Sequence, residues 1–331
     1  MKWWLVRIAV AVTAAIVLVG LVPPTDLLRT VADSETSWLV FAALLLIAGT
    51  VLGAFSFRSM LAARGVAARF GAVFAADLAG HFYALTVPGG VAIGGAVRLF
   101  RLTGPRASMS SVLSTIIASR LLDIVCGSFV AIAAFPFIAR YFEAAGLWIL
   151  LLGGIYSGAL FAYAMACSRR LRLSLVFAFM RSNRVSGYLR RRVRAGVLRL
   201  GRMRQLDPPI ELPTIVCVLA RHLIGGAAVV ALLWAVHADI SYAAALWARA
   251  VTGLAMLLPL SIAGVGIREA GLILLLAPFG VSSTSALAIS LMLLSYQLLL
   301  AGIGGLIELG AGFASLRATN ATRGSTGFDP P

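Results

Sequence analysis

The sequence predicts an all-α membrane protein, a polytopic helical bundle of about eight membrane segments. The first observation is composition: 61% of residues are hydrophobic and 12% are charged, about half the charged fraction of a soluble domain. The second is that apolar residues form long unbroken runs, whereas the strands of a membrane barrel alternate apolar and polar residues. The third is a phrase of proline and glycines that occurs twice, which predicts re-entrant hairpins arranged as a repeat.

The first span is predicted over Trp4–Val22. Lys2 and Arg7 accompany it, so the N-terminus is expected in the cytoplasm. A cleaved signal peptide is the alternative, but no small-x-small cleavage site precedes Pro23. An acidic loop follows, and Trp38–Phe57 forms the second span with an aromatic anchor at each end.

The next segment, Phe70–Val97, predicts the first hairpin. It is apolar enough to enter the bilayer, but Arg69 and Arg98 flank it and arginines favour the cytoplasmic side. Both ends are therefore expected inside, with Pro88–Gly90 near the tip. Non-helical backbone at that depth persists only where it is buried in protein or lines a wet cavity.

Four further spans follow the same logic. They cover Met109–Pro136, Leu147–Met165, Pro213–Val236 and Ser290–Leu309. The loop 168–207 lies between the second and third of these, and its stretch Arg169–Arg204 has twelve arginines and no acid, which marks it as cytoplasmic. Within it, Arg181–Arg204 predicts an amphipathic helix on the anionic inner leaflet. Nucleic acid is not expected as a partner, because a single tyrosine offers little stacking.

The second copy of the phrase lies in Tyr242–Gly266, which is either a hairpin that enters from the outside or a full span. An inverted repeat would favour the hairpin. Ile267–Pro278 then continues the membrane part. Residues 1–312 are expected to form one integral domain, and residues 313–331 a disordered tail.

The repeated phrase nominates a translocation site. In each copy a proline interrupts the helix, glycines free the backbone, and an arginine follows about ten residues later. The residues nominated for substrate binding are Pro88, Gly89, Gly90, Gly94, Gly95, Arg98, Pro259, Gly264, Gly266, Arg268 and Glu269.

Two charged pairs lie within otherwise apolar segments. Arg120 and Asp123 share a helix face; either they pair with each other to fix helix packing, or Arg120 contacts a lipid phosphate while Asp123 orients it. Asp77 and His81 are spaced i,i+4; either they relay a proton or they form a polar contact with a neighbouring helix.

The arginines of the two phrases have two interpretations as well. Arg98 and Arg268 either cap backbone carbonyls or extend to the membrane interface, or they bind an anionic head group. A guanidinium fork is suited to a phosphate. Glu269 is a candidate counter-ion or gating group at a helix start. Three further intramembrane bases are interpreted as packing or snorkelling groups: Arg221, His222 and Arg249.

Enzymatic chemistry has little support in the sequence. The three cysteines and three histidines have no metal-ligand spacing. Phosphate-binding loops, dinucleotide fingerprints and nucleophile elbows are missing too, so no metal, cofactor or catalytic residue is expected.

Three ordered elements give a family resemblance: Gly80–Arg98, Ser119–Asp123 and Leu258–Ala270. Together they resemble the lysylphosphatidylglycerol synthase transmembrane region, or flippase-like, family. The resemblance implies a lipid-flippase-like fold in the bacterial inner membrane. Full-length synthases add a soluble aminoacyl-transferase domain, so lipid aminoacylation by this polypeptide is not expected. Ala96 stands where the family usually has an aspartate, and the usual hairpin asparagine is missing, which predicts a different lipid.

The expected function is movement of an amphipathic lipid between leaflets: an anionic phospholipid, or a polyprenyl-linked or hopanoid-type lipid as some stand-alone family members imply. Arg98, Arg120 and Arg268 would hold its phosphate where the hairpin tips meet. One alternative is a membrane-embedded transferase, whose general base would be Asp77, Asp123 or Glu269. Another is a scaffold that docks lipid-biosynthesis enzymes through the basic helix.

Overall fold

The computed structural model describes residues 22–87, 91–105, 107–167, 208–256 and 266–325. These residues form ten α-helices joined by turns and three short 3₁₀ segments, and no strand occurs among them. The helices are α1 Pro24–Ala32, α2 Thr36–Ala63, α3 Phe70–Thr86, α4 Val91–Leu102, α5 Met109–Ala134, α6 Ala145–Cys167, α7 Pro208–Ala235, α8 Tyr242–Ala255, α9 Ile267–Leu276 and α10 Ser283–Ser325.

Five helices are long and apolar enough to cross a membrane. They cover Thr36–Ala63, Met109–Phe137, Ala145–Met165, Leu212–Ala235 and Ser283–Gly310, which confirms the five spans predicted in these regions. The predicted span Trp4–Val22 and the basic loop 168–207 lie outside the described residues, so the count of eight segments stays a prediction. Helix α10 runs to Ser325, into the segment 313–331 expected to be disordered; its sequence there is rich in alanine, the best helix former.

Helices α3 and α4 form the first predicted hairpin. They run antiparallel, because Asp77 pairs with Arg98 while Gly80 faces Gly94 nearer the tip. A Cβ atom on Gly94 would lie 2.5 Å from the carbonyl oxygen of Gly80, so only glycine permits this crossing. The tip, Pro88–Gly90, lies outside the described residues.

Helices α8 and α9 resemble the first hairpin in their lengths and packing. With 14 and 10 residues they are about 21 and 15 Å long, too short to cross a hydrocarbon core of about 30 Å singly. Gly271 packs against Thr252. The hairpin interpretation of Tyr242–Gly266 is therefore favoured over a single span, although the connection 257–265 lies outside the described residues.

The helix packing follows an inverted repeat. The first unit consists of α2, the hairpin α3–α4 and α5. The second consists of the corresponding elements α7, the hairpin α8–α9 and α10. Helices α2 and α7 pack antiparallel, with the Glu35 amide donating to the Ala235 carbonyl at 3.0 Å and Gly49 facing Arg221. Helix α3 packs on α10 and α8 packs on α5, so each hairpin contacts the last helix of the other unit. Such reciprocal contacts are typical of inverted-repeat transporters, which bind substrate where the repeats meet.

An aromatic cluster anchors α8 where α5 ends and α6 begins. Trp247 is fully buried, and its ring centroid lies 5.9 Å from Phe135, 4.9 Å from Phe142 and 5.1 Å from Trp148. Aromatic pairs at such distances contribute about 0.5–1.5 kcal/mol each beyond area burial. The second hairpin is thereby held rigidly at one end.

Candidate functional site

Helix α7 carries an arginine into the centre of the bundle. Gly49 and Gly53 of α2 leave room for Arg221, whose Cγ and Nη1 would lie 3.6 and 3.4 Å from Cβ atoms at those positions. The Arg221 guanidinium donates to a carboxylate oxygen of Asp123 on α5. Asp123 therefore pairs across helices, and the predicted pair with Arg120 is not among the ion pairs of the described residues.

Helix α4 carries Arg98 into the same region. Its guanidinium pairs with Asp77 of α3 and lies over the ring of Phe57, 5.0 Å from the centroid. For Asp77 the structure thus shows the polar contact between helices that was one of its two interpretations. Arg98 is also within electrostatic range of Arg120 and Arg221.

Helix α8 adds a third arginine, Arg249. The Arg249 guanidinium lies directly against Gly225 of α7, where a Cβ atom would overlap it. Its Nε is buried and has no hydrogen-bond partner within the part of the chain that the structure describes. Nearby, the ring of His222 packs 3.1 Å from the position of a Cβ on Gly127, and its Nε2 is buried without a partner in the same ranges.

Arg120 is the exposed member of the group. It lies near the middle of the α5 span, about 16 Å along the helix from Met109, and is exposed. It is within electrostatic range of Arg98 and His81. A charge at this depth is costly unless it faces a polar cavity or a partner, which makes Arg120 a candidate binding residue.

We call these four arginines and the two aspartates the cationic cluster: Arg98, Arg120, Arg221, Arg249, Asp77 and Asp123. Four helices supply the arginines: α4, α5, α7 and α8. Four positive charges face two negative ones, so with neutral histidines the cluster has an excess of two positive charges. Because Arg120 and Arg249 have no carboxylate partner among the described residues, the arrangement favours an anionic ligand.

The arginine of the second phrase lies in a separate, closed network. Arg268 is 3% exposed and donates to Glu269 at 2.6 Å, Ser290 at 2.9 Å and Gln297 at 3.0 Å. The other carboxylate oxygen of Glu269 accepts the Gly266 amide at 2.6 Å, where Gly266 has φ 88°. Glu269 is thus the counter-ion of Arg268, and this network fixes the start of α9.

An apolar groove runs beside the cationic cluster. Helices α5, α7 and α8 enclose about 300 Å³ between them. Leu246 in its wall lies one turn before Arg249 on α8, while Leu219 and Leu223 are two residues from Arg221 and therefore belong to another face of α7. The other lining residues are Phe129, Val130, Ala133, Ala134, Phe137, Tyr242 and Ala243.

Comparison with protein families decides the identity of the fold. The family described as the lysylphosphatidylglycerol synthase TM region matches residues 4–305. The chain belongs to this family. It is therefore a multi-pass membrane protein of a lipid-related family, as the sequence resemblance predicted. A comparison with curated proteins found no match.

In this member of the synthase TM family, the structure brings together some of the predicted site residues. Arg98, Arg120, Asp123 and Asp77 meet in the cationic cluster, with His81 nearby, while Gly94 serves the hairpin crossing and Gly95 faces open space. Those outside the described residues are Pro88, Gly89, Gly90, Pro259 and Gly264.

Sequence reasoning missed Arg221 and Arg249 as site residues. A signal for Arg249 exists: it precedes Pro259 by ten residues, much as Asp77 precedes Pro88 by eleven. A signal for Arg221 is the Gly49–Gly53 pair with three residues between, a spacing that permits close helix approach.

Proposed function

We propose that the protein moves a lipid with a phosphate head group between the leaflets of the bacterial inner membrane. The observation that carries the proposal is the excess of two positive charges among the transmembrane helices. Guanidinium groups bind phosphate oxygens through paired N–H donors, which makes arginine well suited to this ligand. Arg120, the exposed member, would contact the head group first.

The surroundings of the cationic cluster support a lipid rather than a small anion. The wall of the apolar groove includes Leu246, one turn before Arg249 on α8, and the groove continues along α5 and α8 toward Phe137 and Tyr242. A hydrocarbon chain would occupy it while the phosphate remains at the arginines. A binding site between the two inverted units would suit alternating access.

The membrane potential would bias the direction in which an anionic lipid moves. An anionic head group that crosses a potential of 100 mV changes its free energy by about 2.3 kcal/mol per charge. Removal of the product lipid or an ion gradient would act in the same way. The basic segment Arg181–Arg204, which lies outside the described residues, would hold the cytoplasmic face on the anionic leaflet and offer a surface to lipid-biosynthesis enzymes.

The structure gives little support to a transferase. Each carboxylate considered as a general base has an arginine partner: Asp77 has Arg98, Asp123 has Arg221 and Glu269 has Arg268. To act as a general base, each of these carboxylates would first have to leave its arginine partner.

A leaflet-resolved assay in proteoliposomes tests the proposal. The probes would be fluorescent phospholipids that share their chains and carry a phosphatidylglycerol or a phosphatidylcholine head. Wild type should move the anionic probe faster, and Arg120→Gln should slow that movement about tenfold, a loss of about 1.4 kcal/mol. Arg101→Gln is the matched control, since Arg101 pairs with Glu308 at 2.8 Å outside the cationic cluster. Folded wild-type protein that moves neither probe would contradict the proposal and favour the scaffold.

A further inference from the structure

We infer that two adjacent glycines of α7, Gly225 and Gly226, are positioning residues that determine which lipid binds. Gly225 seats the arginine that selects an anionic head group, and Gly226 seats a leucine that lines the groove for the hydrocarbon chain. The inference rests on the proposed function in placing a lipid phosphate and its chain beside α7 and α8. It adds the residues that separate the selection of the head group from the binding of the chain.

The first glycine is the contact point of Arg249. A Cβ atom on Gly225 would overlap the Nε of Arg249 and lie 2.7 Å from its Nη2 and 2.8 Å from its Cζ. Real Cβ atoms do not approach other heavy atoms so closely, so a side chain at this position would displace the guanidinium. Because the guanidinium stands at the end of a long, flexible side chain, it can move without separating the two helices.

Arg249 is available to a ligand. It makes no ion pair with any residue in the described ranges, and its buried Nε has no hydrogen-bond partner there. The connection 257–265, which follows α8, contains no acidic residue. Arg249 lies seven residues into α8, about 10 Å from the start of the helix. A charge inside the membrane needs a partner, and a phosphate head group would provide one.

The second glycine is the contact point of Leu246. A Cβ atom on Gly226 would lie 2.6 Å from the Cδ1 and 3.1 Å from the Cβ of Leu246. Leu246 is part of the wall of the apolar groove between α5, α7 and α8. An alanine at Gly226 would therefore push Leu246 away from α7 and reshape the surface that the hydrocarbon chain contacts.

The two contacts lie side by side on both helices. Gly225 and Gly226 are neighbours in α7, and Leu246 and Arg249 are three residues apart on one face of α8. The apolar wall and the guanidinium thus follow each other within about 4.5 Å along α8. This order gives one surface for a chain and one set of donors for a head group, which is what an amphipathic ligand needs.

The experiment compares two alanine substitutions that add the same methyl group at neighbouring positions. Binding of phosphatidylglycerol and phosphatidylcholine with identical acyl chains to the purified full-length protein is measured by native mass spectrometry. We expect wild type to bind phosphatidylglycerol about tenfold more tightly. Gly225→Ala should bring the two affinities close together and leave that for phosphatidylcholine unchanged, because only the guanidinium moves. Gly226→Ala should weaken both by a similar factor and keep their ratio, because both lipids have the same chains.

Arg249→Gln connects the effect of Gly225→Ala to the arginine. By itself it should reduce the ratio of the two affinities as Gly225→Ala does. It adds no atom where the helices touch, so it tests the inference even if Gly225→Ala does not fold. In the double variant Gly225→Ala should cause no further loss of the ratio, since the guanidinium that it displaces is gone.

Two results overturn the inference and leave the proposed function standing. One is a preference for phosphatidylglycerol that survives Gly225→Ala or Arg249→Gln. The other is an equal change of both affinities by both alanine variants, which would mean that the two glycines serve helix packing alone. Equal binding of phosphatidylglycerol and phosphatidylcholine by wild type overturns the proposed function as well.

Discussion

The two hairpins carry the same phrase, but their arginines have different surroundings. Arg98 in the first hairpin is 16% exposed, has one carboxylate partner and lies within electrostatic range of Arg120 and Arg221. Arg268 in the second is 3% exposed, and its donors go to a carboxylate, a hydroxyl and an amide. One arginine thus belongs to an open site with unbalanced charge, and the other belongs to a closed structural network.

The repeated motif therefore determines the hairpin conformation, while the neighbouring residues determine whether its arginine is a binding or a structural residue. The second hairpin has Arg249 near the place where the first has Asp77, so it adds a positive charge to the cationic cluster. It also has Glu269 directly after its arginine, which neutralises Arg268 locally.

The largest expected loss of stability follows from breaking the closed network around Arg268. Glu269→Gln should lower the free energy of unfolding by about 3–5 kcal/mol, because it leaves Arg268 buried without its counter-ion. Thermal unfolding in detergent measures this. Glu308→Gln is the control, with an expected loss of at most about 1 kcal/mol for a more exposed pair. A Glu269→Gln protein as stable as wild type would remove the distinction between the two hairpins.

The next effect concerns the crossing of the first hairpin. Gly94→Ala should destabilise the protein by about 1–3 kcal/mol, because the new methyl group would meet the Gly80 carbonyl. Gly95→Ala should be neutral or stabilise by up to about 1 kcal/mol, since its Cβ meets open space and alanine favours a helix. Equal melting temperatures of the two variants would show that α3 and α4 are not in close contact.

A smaller effect is expected when the site loses a counter-ion. Asp123→Asn should cost about 1 kcal/mol, because the Asp123 and Arg221 side chains are 23% and 31% exposed and solvent screens the pair. Added phosphatidic acid should restore the melting temperature of Asp123→Asn, since an anion can replace the carboxylate. It should not restore Glu269→Gln. Rescue of both variants, or of neither, would contradict the assignment of one open and one closed arginine.

The smallest effect is expected in the apolar groove. Ala133→Phe should fill part of its 300 Å³ and slow lipid movement a few-fold, with little change in stability because Ala133 is exposed. Leu150→Phe on α6 is the control, since Leu150 is 75% exposed and does not line the groove. The proteoliposome assay gives both rates, and equal rates for the two variants would exclude the groove from the path.

Much of the fold is predictable because hydropathy and arginine distribution are local signals. The five described spans and the first hairpin follow from apolar length and from arginines at both ends of Phe70–Val97. The second hairpin is ambiguous in sequence, because the weakly charged ends of Tyr242–Gly266 do not determine on which side of the membrane each end lies. The hairpin interpretation follows from helix lengths that only the structure shows.

The site is less predictable because its pairs join distant parts of the chain. Spacing suggests Arg120 as the partner of Asp123, since the two share a helix face. The actual partner, Arg221, is 98 residues away, and Gly49 and Gly53 of α2 leave room for its side chain beside that helix. Local patterns identify which residues are costly in a membrane, but helix packing decides which of them neutralise each other.

The most direct test of the account is to locate the lipid phosphate in the protein. A phosphatidic acid analogue with a photoreactive diazirine next to its head group would be cross-linked to wild type, and the labelled peptides mapped by mass spectrometry. We expect label on α5 around Arg120 and on α7 around Arg221. This label should be lost in Arg120→Gln but not in Arg101→Gln. Label confined to the loops and the outer surfaces of the helices, unchanged in Arg120→Gln, would contradict the central claim that the cationic cluster holds the head group.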